Sequence, residues 1–180
     1  MTDPDRDAPE EIMWAGRFIT AKTRGKWEYV GRARGIHAAV ILAIDDAADG
    51  RHVLLIDQYR VPLGRRCIEL PAGLVGDQEE GEAPETAAAR ELEEETGYRP
   101  ARLESLGQYY SSPGMVSESF TLFRAYDLEK TGDGGGVDGE DIQVHRVPLS
   151  GLSERIALWR AQGYAIDVKL LLLLGATMIA

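Results

Sequence analysis

Eight consecutive residues, His37 to Ile44 (HAAVILAI), form a near-continuous apolar run, the pattern of a buried strand. The turn-forming stretch Asp45–Asp46–Ala47–Ala48–Asp49–Gly50 links it to a second apolar run, His52 to Ile56. Further β-leaning runs lie at Ile12 to Thr20 and Trp27 to Gly31, separated by the turn-like Lys22–Thr23–Arg24–Gly25. Others lie at Leu103 to Tyr110, Phe120 to Tyr126 and Ile142 to Val147. A helix is expected from Pro84 to Thr96, since proline fits a first turn and Gly97 suits the position after a last one. Two closing helices are expected at Leu152 to Gln162 and Ile166 to Ile179. Residues 1–11 read as a loose arm, and the tract TGDGGGVDGED between the last two strands reads as a mobile loop, too polar to pack as a core element. Strands outnumber helices without strict alternation, so the class is mixed α/β rather than a doubly wound sheet.

The 180 residues suit one domain with a small appendage. Twenty basic against 30 acidic side chains give a formal charge of −10, which argues against a phosphate polymer as partner. The same excess is at odds with a phosphorylated small substrate unless a divalent cation intervenes. Cys67 is the sole cysteine, so neither an internal disulfide nor a cysteine-based zinc cage can form. The amino terminus, MTDPDRDAPEE, is acidic and polar, unlike a secretory or transit peptide. The apolar run Leu170 to Ala180 falls short of the roughly 20 residues that a bilayer span needs. A cytoplasmic protein with no membrane and no nucleic-acid partner is the expectation.

The chemistry is concentrated in Arg90–Glu91–Leu92–Glu93–Glu94–Glu95–Thr96–Gly97–Tyr98. Four of five consecutive positions, Glu91, Glu93, Glu94 and Glu95, are acidic and sit at the end of the expected helix. That end is already negative, and each exposed carboxylate there costs on the order of 0.3–1 kcal/mol. Arg90 can pair with Glu94 at i,i+4, while Glu91 and Glu95, also four apart, leave the same face. A solvated acidic face would be the plain alternative, but a helix built for stability would carry Lys or Arg here. A hard cation such as Mg²⁺, bound by one or two carboxylates plus substrate phosphates, would offset the crowding.

Gly73, Glu82, Arg90–Glu91–Leu92, Glu94–Glu95 and Gly97–Tyr98 resemble the Nudix box, G-x5-E-x7-R-E-U-x-E-E-x-G-U with U aliphatic or aromatic. The carboxyl half matches at every fixed position. In the amino half eight residues rather than five separate Gly73 from Glu82, while the seven between Glu82 and Arg90 are kept. Glu79 would restore the first spacing and break the second. Glu82 is preferred because a helix cannot absorb extra residues, whereas a loop absorbs three at little cost. The resemblance runs over roughly residues 27–175 and extends to the ADP-ribose pyrophosphatase branch of the family. Gln58–Tyr59–Arg60, Glu69–Leu70–Pro71–Ala72–Gly73, Ser112–Pro113–Gly114 about fifteen residues past the box, and Glu140–Asp141–Ile142 carry that extension.

The resemblance implies a Nudix α/β/α sandwich with a mixed central sheet, residues 34–180, preceded by a small antiparallel sheet in residues 1–33. That sheet would serve dimerisation, exchanging with a second subunit of a homodimer whose two chains both shape each site. It implies Mg²⁺, with Mn²⁺ as a substitute, ligated by Glu91, Glu95 and the main-chain carbonyl of Ala72. Glu94 would be a further ligand or a helper for water. Arg90 would hold the glutamates, and Gly73, Glu82 and Gly97 would be structural members of the box. The general base would be Glu140, with Glu118 the rival. Arg60 could clamp a terminal phosphate through its planar fork. Trp27, Glu28 and Tyr29 could meet the adenine, although Trp27 and Tyr29 suit strand packing equally, and Met115 could line the pocket. His37, His52 and His145 share no metal-ligand spacing and receive no role.

The implied reaction is hydrolysis of ADP-ribose to AMP and ribose 5-phosphate. Two alternatives stand beside it: GDP-mannose or another nucleotide sugar as substrate, and a non-catalytic ADP-ribose sensor on the same fold. Retention of Glu91, Glu94 and Glu95 weighs against the sensor.

Overall fold

A computed structural model of the chain describes residues 4–33, 35–76, 81–137 and 139–174, with Leu172 and Leu174 described by their backbone alone. Glu79, the alternative box glutamate, lies outside the described residues, as do residues 1–3 of the expected arm and 175–179 of the expected last helix. Eleven strands and two α-helices are described: β1 Glu10–Ala15, β2 Ile19–Arg24, β3 Trp27–Arg32, β4 Ala38–Ala47, β5 Gly50–Arg60, β6 Arg65–Glu69, β7 Ala72–Leu74, α1 Pro84–Thr96, β8 Tyr98–Tyr110, β9 Ser119–Lys130, β10 Ile142–Pro148, α2 Leu152–Ala161 and β11 Ala165–Ile166.

β4 organises the main sheet. Along Ala38–Ala43 it runs parallel to β9, while on its other edge it pairs first with β7 at Ala38–Val40 and then with β5 at Ile44–Ala47. From there β5 pairs with β10 and β6, and β11 lies parallel to β6 at the far edge. β8 closes the opposite edge against β9. The pleat divides β4's apolar run between two cores. Ala39, Ile41 and Ala43 pack with Ala88 and Leu92 of α1 and with Phe123. Val40, Leu42 and Ile44 pack with Leu55, Leu122 and, from α2, Ile156 and Trp159. A strand covered on both faces has no solvent side on which to place polar residues, which is why the run is continuous. The result is an α/β/α sandwich with a mixed sheet, to which β1–β2–β3 add a separate antiparallel sheet.

Helix α1 matches its expected bounds. Pro84 occupies its first turn, and Gly97 ends it at φ 74° with its N–H bonded to the Glu93 carbonyl (2.8 Å). Its buried face carries Ala87, Ala88, Leu92, Glu95 and Thr96, so a single helical phase serves both the core and the carboxylate of Glu95. Cys67 is buried in β6, and burial pushes its thiol up to about 12, leaving it protonated and unreactive.

Several expectations are corrected. The stretch read as an arm ends in β1, whose strand begins at Glu10. Lys22–Arg24 belong to β2, and the turn falls at Gly25 and Lys26, because Gly25 supplies the φ of 57° that the reversal needs. The last expected helix is instead the short strand β11 followed by a 3₁₀ segment, Val168–Leu174. Ala165 and Ile166 pair with Cys67 and Ile68, so an available sheet edge overrides helical propensity there.

Leu92 is the residue that fastens α1 to the sheet, at 0% exposure. Leu92→Ala is expected to cost about 2–5 kcal/mol and lower the thermal midpoint by at least about 4 °C. A midpoint shift under about 2 °C in thermal denaturation would contradict this packing.

Candidate active site

Glu91 and Glu95 leave the carboxyl-terminal half of α1 and line one cavity of about 440 Å³, together with Ala72, Gly73, Glu118 and Glu140. Gly73 leaves the room that the Glu91 carboxylate occupies: a Cβ there would stand 1.9 Å from Glu91 Cδ. Ala72 N–H donates to Glu95 Oε2 (2.9 Å). Glu95 is buried, and that burial, reinforced by Glu91 and Glu140 nearby and opposed by the Ala72 hydrogen bond, pushes its carboxyl up to about 8.

Arg90 shows how so much acid is tolerated. Its Nε and Nη2 donate to the two oxygens of Glu82 (3.1 and 3.3 Å), and its Nη1 donates to Glu91 Oε1 (2.8 Å) and Glu94 Oε2 (3.1 Å). Glu82, largely buried, also accepts from Gly76 N–H (3.3 Å), and the Arg90 guanidinium holds its carboxyl below the usual range. One arginine thus spans three carboxylates and is a brace behind the cavity rather than part of its lining. The i,i+4 contact with Glu94 follows from helical spacing, but the contacts to Glu82 and Glu91 are tertiary and side-chain detail that spacing does not fix.

The glycine tract is fastened to the same helix end. Gly135 N–H donates to the Glu95 carbonyl (2.9 Å) and Gly136 N–H to the Glu94 carbonyl (3.0 Å), while Thr131 and Gly132 N–H reach the Gly97 carbonyl (2.8 and 3.1 Å). These bonds satisfy carbonyls that the last helical turn leaves open. The described part of the tract is therefore a strap on α1, not the unattached loop that its composition suggested. It leads to Glu140, whose Oε2 accepts from Val137 N–H (3.0 Å).

Glu118 also lines the cavity, but its Oε1 accepts from Arg32 Nε (2.7 Å). Arg60 is present as expected, yet its Nε and Nη2 donate to Glu69 (2.6 and 2.9 Å) rather than standing open for a phosphate. Glu69 is nearly buried, so it needs that counter-charge. Glu69 and Lys169 line the cavity without having been singled out from sequence. The signal for Glu69 was its place in the ELPAG segment; Lys169 gave none, because it reaches the site through the fold's last segment.

Trp27, Glu28 and Met115 lie outside this cavity. Trp27 lines a neighbouring cleft with Tyr29 and Pro113, and Glu28 and Met115 line another with Met13. Both clefts sit where β3 meets the 112–117 segment, joined by Val30 N–H to the Met115 carbonyl and Ser117 N–H to the Val30 carbonyl (2.9 Å each). Strand β3 is held there by its sheet, which prevents these residues from converging with Glu91 within one chain.

The donor set suits a hard divalent cation. Glu95 and Glu91 form an acidic centre in which burial raises the Glu95 carboxyl and the neighbouring Glu91 and Glu140 add to the rise. Among the described residues, no three acidic, imidazole or thiol side chains converge into a complete metal cage. Mg²⁺ takes oxygen ligands from one or two carboxylates plus waters and substrate phosphates, and Glu91 and Glu95 are two such carboxylates in one cavity.

The family model described as NUDIX domain matches residues 35–167. The chain is 37% identical over 113 residues to a Bacillus subtilis protein named ADP-ribose pyrophosphatase, covering 62% of this chain and 58% of that one. It is 39% identical over 150 residues to a Cronobacter sakazakii protein named GDP-mannose pyrophosphatase, covering 78% of this chain and 72% of that one. A crystal structure titled ADP compounds hydrolase superposes with a TM-score of 0.64 at 25% identity, covering 81% of this chain and 80% of its own. Among the described residues, no helix is long and apolar enough to cross a membrane.

The Glu95 carboxyl sets a pH dependence. Its proton is held more tightly in the folded chain, at about 8, than in an unfolded one at about 4.3. The folded state is thus favoured below the lower value, and that contribution is lost as pH rises through the upper one. In chelated, metal-free protein, Glu95→Gln is expected to melt at a higher temperature than the parent at pH 8.5, with the gap closing towards pH 5. Parallel melting profiles across that range would contradict a strained carboxylate.

Proposed function

The chain belongs to the Nudix family, and from that premise we propose that it hydrolyses the pyrophosphate bond of ADP-ribose to AMP and ribose 5-phosphate. The observation that carries the reading is the pairing of Glu91 and Glu95 in a cavity that Glu140 also lines. Mg²⁺ is the proposed cofactor, with Mn²⁺ able to replace it, held by Glu91, Glu95 and the Ala72 carbonyl with Glu94 as auxiliary. When bound, it supplies charge neutralisation at the phosphates and acidifies the attacking water.

The chain's own groups do the rest. Arg90 keeps Glu91 and Glu94 from spreading under their mutual repulsion. Glu140 is the proposed general base, taking a proton from the attacking water. Glu118 is the second candidate, its carboxylate being already committed to Arg32. Arg60 and Lys169 line the acidic cavity as cations, and for either to meet a phosphate oxygen it must share or leave its carboxylate partner, Glu69 or Asp167. Transition-state charge collects on non-bridging oxygens, so this fixed placement supplies most of the acceleration.

GDP-mannose is the second substrate reading, supported by the relative of that name. The purified protein with Mg²⁺ and ADP-ribose is expected to release AMP, and Glu91→Gln or Glu95→Gln to lower kcat at least about 100-fold. Absence of AMP above the Glu95→Gln level would overturn the activity. A higher kcat/KM for GDP-mannose in the same assay would move the substrate and keep the chemistry.

We also propose that β1–β3 form a dimerisation unit. Its support is a run of exposed apolar side chains, Ile12, Met13, Trp14 and Phe18, each more than half exposed in the single chain. A partner seated there would bring Trp27 and Glu28 to the other chain's cavity, where adenine would lie. Sedimentation equilibrium at micromolar concentration is expected to give twice the 19.8 kDa chain mass. A monomer would refute the dimer.

A further inference from the structure

Away from the cavity floor, one buried charge cluster has no part in the reaction just described. Asp57, on β5, is wholly buried. A carboxylate there needs strong partners. Two side chains provide them: Arg66 on β6 donates its Nε to Asp57 Oδ1, and His145 Nε2 on β10 lies 2.6 Å from Asp57 Oδ2. Arg66 Nη2 also donates to the Asp57 carbonyl (3.0 Å). For the fold alone, this would suffice.

The guanidinium goes further. Arg66 Nη1 donates to Asp141 Oδ2 (2.6 Å), and Nη2 donates to the Asp141 carbonyl (3.0 Å). Asp141 is the residue after Glu140, and its side chain is 76% exposed, so burial does not explain the contact. On the other side of Glu140, Gly135 and Gly136 are bonded to the carbonyls of Glu95 and Glu94. Glu140 is thus held between two anchors, one on the carboxylate helix and one on a buried ion pair. The chain direction is fixed at the second anchor too, since Ile142 enters β10 paired with Gln58.

We propose that Arg66, seated on Asp57, is a positioning residue that fixes Glu140 at the cavity by clamping Asp141. The inference rests on Glu140 being the base. Planarity is what the role needs: the rigid fork meets Asp57 and Asp141 together, whereas a lysine ammonium is a point charge that cannot hold both geometries. Small displacements of a reacting group are costly, since a shift of about 1 Å can lower a rate about 100-fold.

The test measures kcat, KM and melting temperature for Asp141→Ala and Arg66→Lys, each alone and combined with Glu140→Gln. The nucleotide sugar that the parent turns over fastest, with Mg²⁺, serves as substrate. Asp141→Ala removes only an exposed group, so that variant folds even if Arg66→Lys does not. Expected is a kcat loss of about 10- to 100-fold with KM changed less than about 2-fold, and no further loss in the Glu140→Gln background, where no base remains to be placed. Unchanged kcat in Asp141→Ala would overturn the proposal, as would an equal proportional loss in both backgrounds, which would mean a general loosening of the fold. If Glu140→Gln itself keeps parental kcat, the reading of Glu140 as base fails first and is recognised as such.

Discussion

The structure turns on gathering negative charge at the negative end of one helix. Glu91, Glu93, Glu94 and Glu95 lie in the last turns of α1, where the backbone carbonyls already point outward. Arg99 pairs with Glu93 (3.0 and 2.7 Å), and three further local devices make the rest tolerable. Arg90 spreads one cation over Glu82, Glu91 and Glu94. The Ala72 N–H meets Glu95, and the N–H groups of Gly135 and Gly136 meet the helix carbonyls themselves. None of these neutralises Glu95, whose carboxyl stays raised by burial. The residual imbalance is what a divalent cation and its phosphate ligands would relieve, so the strain and the proposed chemistry have a single origin.

Most of the framework was legible because it follows from periodicity. The HAAVILAI run becomes β4, with alternate residues feeding the two cores. Pro84 and Gly97 mark α1 at both ends. The pairing of Glu91 with Glu95 on one face is likewise a consequence of 3.6 residues per turn. Such features depend on the chain within a few residues of themselves, and a sequence carries that information directly.

What was not legible depends on partners distant in sequence. β11 forms because β6 leaves an edge for Ala165 and Ile166, which nothing near those residues announces. Arg60 turns to Glu69, and Glu118 to Arg32 across 86 positions, ion pairs that no local spacing announces. Trp27 and Glu28 are kept from Glu91 by the sheet that holds β3. Arg66, seated on Asp57, reaches Asp141 across 75 positions. Charged side chains have long reach and several equally good partners, and only the assembled fold chooses among them.

The glycine tract shows why composition alone misleads. A stretch of Gly and Asp resembles a linker, because it has nothing to bury. Here the absence of side chains is what allows contact: a Cβ on Gly97 would stand 2.2 Å from the Gly132 carbonyl oxygen, and one on Gly134 2.4 Å from the Thr96 carbonyl carbon. Backbone can therefore lie directly on backbone, with N–H donors turned to the helix end. Larger residues would lift the strap off α1 and reopen those carbonyls. Glu140 follows at the end of the strap, so the bonds that finish the helix also set where that carboxylate stands relative to Glu95.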